Sequence, residues 1–399
     1  MKILQITPYF PPAWSFGGPV RHIYEISKFL VKHGHNVTVF TSNICNPSQY
    51  YNKFHDYIDG IEIYRFPIQC GYKGYWITPR LINKIFKMRP DIIHLHSFRN
   101  FQCDIGYLFC KLKKIPYLLT AHGTIRAEEE LSSKFSLSKL IRRFYDEFIG
   151  HHIIHDAARL ICVTESEKWH FLSFNSNEDK ISIIPNGINT NYFQKNEKFG
   201  LEFRDKYNIH DKFILSVGRL NHLKGFDFLI NAFGRLINKF PEIKLVIVGY
   251  DFGYKKHLQQ LINTLKLQNS IIFINKLVGK NLLGAYSAAS LYIQPSRYEV
   301  FGMAALEAAS CGAPVIVTKV GGLKDLFQHG TNGFIVNFND INSIENISSD
   351  LLSNESLSKQ IGFNSRKNIE EIFNWDIIGM KLEKLYKNAI GSKTIMSTI

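Results

Sequence analysis

The chain has 399 residues, 45% of them hydrophobic, and a formal net charge of +14. That length exceeds what one hydrophobic core usually serves, so two domains are expected, and the apolar content excludes a disordered chain. No apolar run reaches the roughly 20 residues that cross a bilayer. The opening Met1-Lys2-Ile3-Leu4-Gln5-Ile6-Thr7 reads as a strand and not as a signal peptide, so a cytoplasmic location is expected.

The charge is spread evenly: residues 1–190 carry 23 Lys and Arg against 16 Asp and Glu, and residues 191–399 carry 25 against 18. With no basic tail, a nucleic-acid-binding arm is disfavoured. An anionic small ligand, a weak attraction to acidic lipid and a merely basic surface stay open. The six cysteines, at 45, 70, 103, 110, 162 and 311, include no C-x-x-C pair. Buried free thiols in a reducing cytosol are expected.

In chain order, short β-rich runs alternate with helical patterns. Strands are predicted at 2–7, 37–41, 61–66, 91–96, 117–120, 160–164 and 181–184, then at 213–217, 244–248, 271–274, 291–294, 315–318 and 334–336. The first helix is predicted from Pro19 to His33, its apolar face formed by Val20, Ile23, Tyr24, Leu30 and Val31, with Gly34 as the stop. This rhythm predicts an α/β protein with two doubly wound parallel sheets. The boundary is placed after Ile184-Pro185-Asn186-Gly187, giving domains at 1–188 and 189–374. Two such domains facing each other would bind a ligand at their strand carboxyl ends.

The most informative segment is Pro295-Ser296-Arg297-Tyr298-Glu299-Val300-Phe301-Gly302, after which a helix is predicted from Met303 through Ala309, ended by Cys311-Gly312. A helix start exposes unpaired N–H groups and a partial positive charge, which suits an anion. Glu299 and Glu307 flank it, and carboxylates accept hydrogen bonds from sugar and ribose hydroxyls. Read alone, Glu299 could serve the helix dipole and Glu307 a solvated face, but the apolar run Ala304–Ala309 argues for burial of Glu307.

Arg219, after the strand at 213–217, and Lys224 five residues on would neutralise a diphosphate, although either alone could be a surface cation. Gly17-Gly18 before the first helix permits close approach of a ligand, and His122 follows the strand at 117–120. His151 and His155 have metal-ligand spacing but no third ligand at matching spacing. Neither a D-x-D cation site nor the dinucleotide fingerprint G-x-G-x-x-G occurs.

Taken in order, Gly17-Gly18, His122-Gly123, Pro185-Asn186-Gly187, Gly218-Arg219 with Lys224-Gly225, and Glu299 with Glu307 resemble the retaining family 4 glycosyltransferases. The resemblance spans residues 1 to about 390 and implies the GT-B fold: two facing Rossmann-like domains, an interdomain cleft, and a terminal helix at 375–390 returning to the first domain. It implies transfer of a hexose-type sugar from a UDP- or GDP-sugar with retention of configuration and without a metal. Glu299 would bind donor-sugar hydroxyls, Glu307 the ribose, and Val300, Phe301, Gly302 and Met303 sugar and phosphate. Arg219 and Lys224 would grip the diphosphate together with Gly17 or Gly18. His122 would touch the transferred sugar, and Leu277, in Asn275-Lys276-Leu277-Val278, would frame the nucleobase.

On the acceptor side, Phe98 and Arg126 join the aromatic residues Tyr72, Tyr75, Trp76 and Phe101. The stretch 132–148 reads as a basic amphipathic helix, suited either to an anionic membrane and a lipid-linked acceptor or to packing on the first domain. The resemblance implies a saccharide or lipid-linked acceptor in surface polysaccharide or glycolipid assembly. The alternatives are a sugar-nucleotide epimerase, a phosphorylase, or a nucleotide-binding module without catalysis.

Overall fold

The computed structural model describes residues 1–46, 48–72, 74–125 and 137–396. These form two compact units, one of Met1–Gly187 with Trp375–Ile399 and one of Ile188–Asn374.

The strands of the first unit are β1 (Lys2–Ile6), β2 (Asn36–Ser42), β3 (Ile44–Asn46), β4 (Gln49–Tyr50), β5 (His55–Ile58), β6 (Ile61–Phe66), β7 (Cys70–Tyr72), β8 (Tyr75–Ile77), β9 (Ile92–His96), β10 (Tyr117–Thr120), β11 (Arg159–Cys162) and β12 (Ile181–Ile183). Its helices are α1 (Gly18–Lys32), α2 (Arg80–Ile85), α3 (Phe101–Lys113), α4 (Leu137–Tyr145), α5 (His151–His155) and α6 (Glu165–Leu172). A π turn over Asp146–Gly150 runs α4 into α5. The main sheet has the order β12-β11-β10-β9-β1-β2-β6-β5, parallel except for β5 against β6, while β3–β4 and β7–β8 are separate hairpins.

The second unit has strands β13 (Phe213–Val217), β14 (Lys244–Val248), β15 (Ile271–Ile274), β16 (Leu291–Gln294), β17 (Val315–Thr318) and β18 (Phe334–Val336). Its helices are α7 (Glu197–Tyr207), α8 (Phe226–Leu236), α9 (Lys255–Thr264), α10 (Gly279–Ala288), α11 (Met303–Ser310), α12 (Leu323–Leu326), α13 (Ile341–Ser353) and α14 (Glu355–Ile372). The sheet is fully parallel in the order β15-β14-β13-β16-β17-β18. Its winding reverses between β13 and β16, which opens a crevice at their carboxyl ends. In the first unit the reversal falls between β1 and β9.

Local chemistry sets the helix ends. Pro19 occupies the first turn of α1, where its missing N–H is harmless, and Gly34 beyond the other end has φ +78°. The Asn100 side chain caps α3 by accepting from the Cys103 N–H, and Thr164 caps α6 by accepting from the Glu167 N–H. Leu4 and Ile6 of β1 pack on one face of the first sheet and Ile3 on the other. Burial on both faces explains why such strands read as continuous apolar runs.

The last helix, α15 (Trp375–Met396), belongs to the first unit. Its Ile378, Leu382, Tyr386 and Ala389 join Ile23, Ile26, Phe29 and Leu30 of α1 in one core. A Cβ on Gly379 would come within 2.4 Å of the Phe29 ring, so the small residue sets the close approach. Among the described residues no helix is long and apolar enough to cross a membrane.

Candidate functional site

In the second unit, the loops after β13 and β16 meet at the winding reversal. Lys224 closes a 3-10 turn (His222–Lys224), and Gly225, at φ +65°, leads into α8. A Cβ on Gly225 would lie 2.0 Å from the Pro295 carbonyl oxygen, so the close seating of the two loops requires glycine there. Arg297 locks the same junction. Its guanidinium donates twice to the Asp227 carboxylate, at 2.7 and 2.5 Å, and to the His222 carbonyl at 2.8 Å, while its backbone N–H donates to the Leu223 carbonyl at 2.8 Å. Burial tends to raise the Asp227 pKa, but the Arg297 hydrogen bonds and charge outweigh it and hold it below the usual carboxylate value.

Within this frame the Lys224 ammonium donates to Oε2 of Glu299. The Glu299 loop is also held from behind. Its carbonyl accepts from the Gly322 N–H at 3.1 Å, and a Cβ on Gly321 would stand 1.8 Å from that carbonyl oxygen.

After Val300 and the buried Phe301, Gly302 takes φ +106° as the residue before α11, with no side chain capping the helix. The first N–H groups of the helix, Met303 among them, are left for another acceptor. Glu307, in the second turn, is buried and accepts from the Tyr286 hydroxyl at 2.8 Å.

Arg219 is drawn to a different neighbour, its guanidinium lying over the Phe252 ring at 5.4 Å. Leu277 lines an open recess of about 360 Å³ with Lys206, Tyr207, Phe273 and Asn281, at the edge just beyond β15.

In the first unit, α1 follows β1 through Gly17, at φ +88°, and Gly18. His22, one turn into α1, places its ring 5.1 Å from that of His122. His122 and Gly123 take φ +53° and +77° directly after β10. The buried carboxylate of Glu167 secures this turn, accepting from the Gly123 N–H at 2.6 Å and the Val163 N–H at 2.8 Å. Burial raises the Glu167 pKa, with the two N–H groups opposing it.

Nε2 of His122 lies 3.1 Å from Nδ1 of His96. His22, His94, His96 and His122 are all buried, and burial pushes each pKa down, that of His22 to about 4. They are neutral imidazoles near pH 7, so each holds one N–H and one lone pair.

On the acceptor side, Phe98 is buried, its ring packed edge-on against Tyr145 and Phe174, so it serves the core and offers no face to an acceptor. Arg126 lies outside the described residues, as does the start of the predicted basic helix, 132–136. His151 and His155 stack with ring centroids 5.8 Å apart, but no group of three or more possible metal ligands occurs among the described residues. Cys70 is exposed and Cys45 half-buried, against the expectation of burial, because both lie on the short strands that flank the main sheet.

Several residues of the site went unremarked in the sequence. They are Arg297 with Asp227, Gly321, Glu167, and the partners of His122. Glu167 carried a signal, a carboxylate three residues after a Thr cap. His94 and His96 carried another, as polar residues inside an otherwise apolar strand.

Residues 16–192 match the family described as Glycosyltransferase Family 4, and residues 201–368 that described as Glycosyl transferases group 1. An uncharacterized glycosyltransferase of Methanocaldococcus jannaschii is 30% identical, over 98% of this chain and 99% of its own. Among solved structures, sucrose-phosphate synthase from Thermosynechococcus elongatus aligns with a TM-score of 0.77 at 22% identity, over 98% of this chain and 99% of its own. The Anabaena protein HepE in complex with UDP aligns with a TM-score of 0.77 at 20% identity, over 97% of this chain and 100% of its own. Two units of parallel sheet, each with its loops gathered where the winding reverses, are the two Rossmann-like domains of the GT-B fold, and the chain belongs to family 4 of the glycosyltransferases.

Proposed function

We propose that this glycosyltransferase moves a hexose-type sugar from a UDP- or GDP-sugar to a saccharide or lipid-linked acceptor, with retention of configuration and without a metal. The observation that carries this reading is the Lys224–Glu299 pair beside the uncapped start of α11. One cation, one hydroxyl acceptor and a set of free N–H groups together suit a molecule with sugar and diphosphate in series. The UDP held by the HepE structure and the recess around Leu277 support a nucleotide donor.

The bond from the anomeric carbon to the phosphate oxygen breaks, and the acceptor oxygen bonds to that carbon from the same face. The acceptor proton passes to the departing phosphate, whose charge Arg219 and Lys224 stabilise in place of a metal. His122 contacts the transferred sugar and Glu307 the ribose.

A lipid-linked acceptor in surface polysaccharide or glycolipid assembly, reached from the cytoplasmic side, is supported by α4. There and in the π turn that follows, Ile141, Phe144 and Phe148 are exposed near Lys139, Arg142 and Arg143 in sequence. Such a surface suits the boundary of an anionic membrane.

Thermal unfolding against UDP-, GDP- and ADP-sugars tests the donor, since a ligand at 100 times its Kd stabilises by about 2.7 kcal/mol. Transfer with the stabilising donor, in the presence of EDTA, followed by NMR of the product anomer tests the reaction. An inverted anomer, activity lost to EDTA, or no stabilisation by any nucleotide sugar would each overturn the corresponding element of the proposal.

A further inference from the structure

One hydrogen-bond chain runs through the interior of the first unit and ends on His122. Nε2 of His96 lies 2.5 Å from Oε1 of Gln5, and Nδ1 of His96 lies 3.1 Å from Nε2 of His122. From Gln5 the chain continues in the other direction: Nε2 donates to the Tyr386 hydroxyl at 3.1 Å, and that hydroxyl lies 2.7 Å from Nδ1 of His94. Nε2 of His94 ends the chain 2.7 Å from the Thr120 hydroxyl. Gln5, His94, His96 and Thr120 come from β1, β9 and β10, whereas Tyr386 comes from α15. All six side chains are buried, so no water competes for these bonds.

With the Gln5 amide oxygen turned toward His96, the donor count fixes every proton. An amide oxygen only accepts, so Nε2 of His96 carries the hydrogen toward Gln5. Nδ1 of a neutral His96 is then a lone pair, and Nε2 of His122 must donate to it. Beyond Gln5, the Tyr386 hydroxyl accepts from the amide and gives its own hydrogen to Nδ1 of His94, whose Nε2–H goes to Thr120. No link places two donors or two acceptors face to face. Neutrality of the rings follows from their burial and mutual proximity, which lower the pKa values of His94, His96 and His122 well below 6.5.

We propose that Gln5, His96 and Tyr386 are positioning residues that hold His122 as its Nε2–H tautomer, leaving Nδ1 as a hydrogen-bond acceptor for a hydroxyl of the transferred sugar. The inference rests on the reading that His122 touches that sugar. It adds the polarity of the contact, and it gives the C-terminal helix a part in the reaction through Tyr386. A His122 protonated at Nδ1 would set a donor where the chain provides for an acceptor, and the sugar hydroxyl would have to accept instead of donate, which reverses its orientation.

The test is long-range 1H–15N correlation of the full-length protein labelled with 15N-histidine, using His122→Gln to assign the ring. Wild type is expected to give a protonated Nε2 and an unprotonated Nδ1 at His122. Tyr386→Phe and Gln5→Met, which break the chain at different links, are expected to give a mixture of tautomers, with kcat lowered about 10-fold and KM within about threefold. A wild-type His122 protonated at Nδ1 overturns the proposal, whether or not either variant folds. So does retention of the wild-type tautomer and kcat in both variants. Full activity in His122→Ala would instead sink the reading that His122 meets the sugar, while the spectra would still report on the chain itself.

Discussion

The ammonium of Lys224 bonds Oε2 of Glu299 across 75 residues of sequence, tying the loop ahead of α8 to the loop ahead of α11. In the ligand-free protein each side chain supplies the other's counter-charge. On the proposed function, a bound donor would substitute a diphosphate for the carboxylate partner of the lysine and sugar hydroxyls for the lysine partner of the glutamate. Lys224→Ala and Glu299→Ala should each lower kcat/KM by about 100-fold or more. The double variant should lose less than the product of the two, because the residues act as a unit. Steady-state kinetics on the four proteins measures this, and additive losses would contradict it. Both side chains are only 16% exposed, so each single variant leaves a largely buried charge unpaired, and the double variant should keep a melting temperature closer to wild type than either.

Arg297 makes four bonds at the base of the same loops, two of them bidentate to Asp227. Lysine carries the charge but cannot reproduce the fork. Arg297→Lys should lower stability by about 1–2 kcal/mol and raise KM for the donor, because the turn holding Lys224 loosens. Urea unfolding and donor titration check both effects, and an unchanged KM would remove Arg297 from the account of the site.

Glu167 satisfies two buried backbone N–H groups, one of them in the His122–Gly123 turn. Glu167→Ala should cost about 2–4 kcal/mol and take most of the activity with it. Amide exchange at Gly123 should accelerate more than exchange in the second unit. Equal acceleration in both units would point to a general loss of stability.

The buried histidines predict how the protein responds to acid. Their folded pKa values are depressed below 6.5, so above pH 6.5 neither state takes up these protons. As the pH falls from 6.5 toward 4, the unfolded chain binds them and the folded chain does not. Stability therefore falls, by up to about 1.4 kcal/mol per pH unit for each site. Asp104 and Glu167 have raised pKa values and act in the opposite sense, from their raised folded pKa down to the ordinary carboxylate range, but they are two sites against four histidines. Urea midpoints should change little between pH 7.5 and 6.5 and decline from there to pH 5, and a flat profile down to pH 5 would contradict neutral burial of the histidines.

The exposed apolar side chains of α4 and the π turn after it predict membrane affinity. Flotation with vesicles rich in anionic lipid should recover the wild-type protein, and high salt should weaken the recovery. Ile141→Glu with Phe148→Glu should abolish flotation without lowering the melting temperature, since both side chains are exposed. Equal recovery with neutral vesicles would remove the electrostatic component.

Much of the architecture was legible because burial on two faces leaves a plain trace. Runs such as Leu245-Val246-Ile247-Val248 have no other economical reading, and every strand expected of the two main sheets is present. The hairpins β3–β4 and β7–β8 escaped, since strands of two or three residues establish no period.

Of the candidate site, Lys224 and His122 stood out because each precedes a glycine shortly after a strand, and Glu299 because it flanks a helix start. Gln5 and Tyr386 could not be seen, since their meaning depends on a helix 381 residues away packing over β1. Phe98 misled for the complementary reason, as an aromatic after a strand looks the same in sequence whether it faces a ligand or a core.

The return of α15 to the first unit carries a consequence for the order of synthesis. The second unit is one uninterrupted stretch, Ile188–Asn374, and can fold as soon as it leaves the ribosome. The first unit is made earlier but stays unfinished, because Trp375, Ile378, Leu382 and Tyr386 of its core arrive last. Domains usually mature in the order in which they emerge. Here the older half waits for α15, and a nascent protein stalled before residue 375 would hold a finished second unit and an open first one.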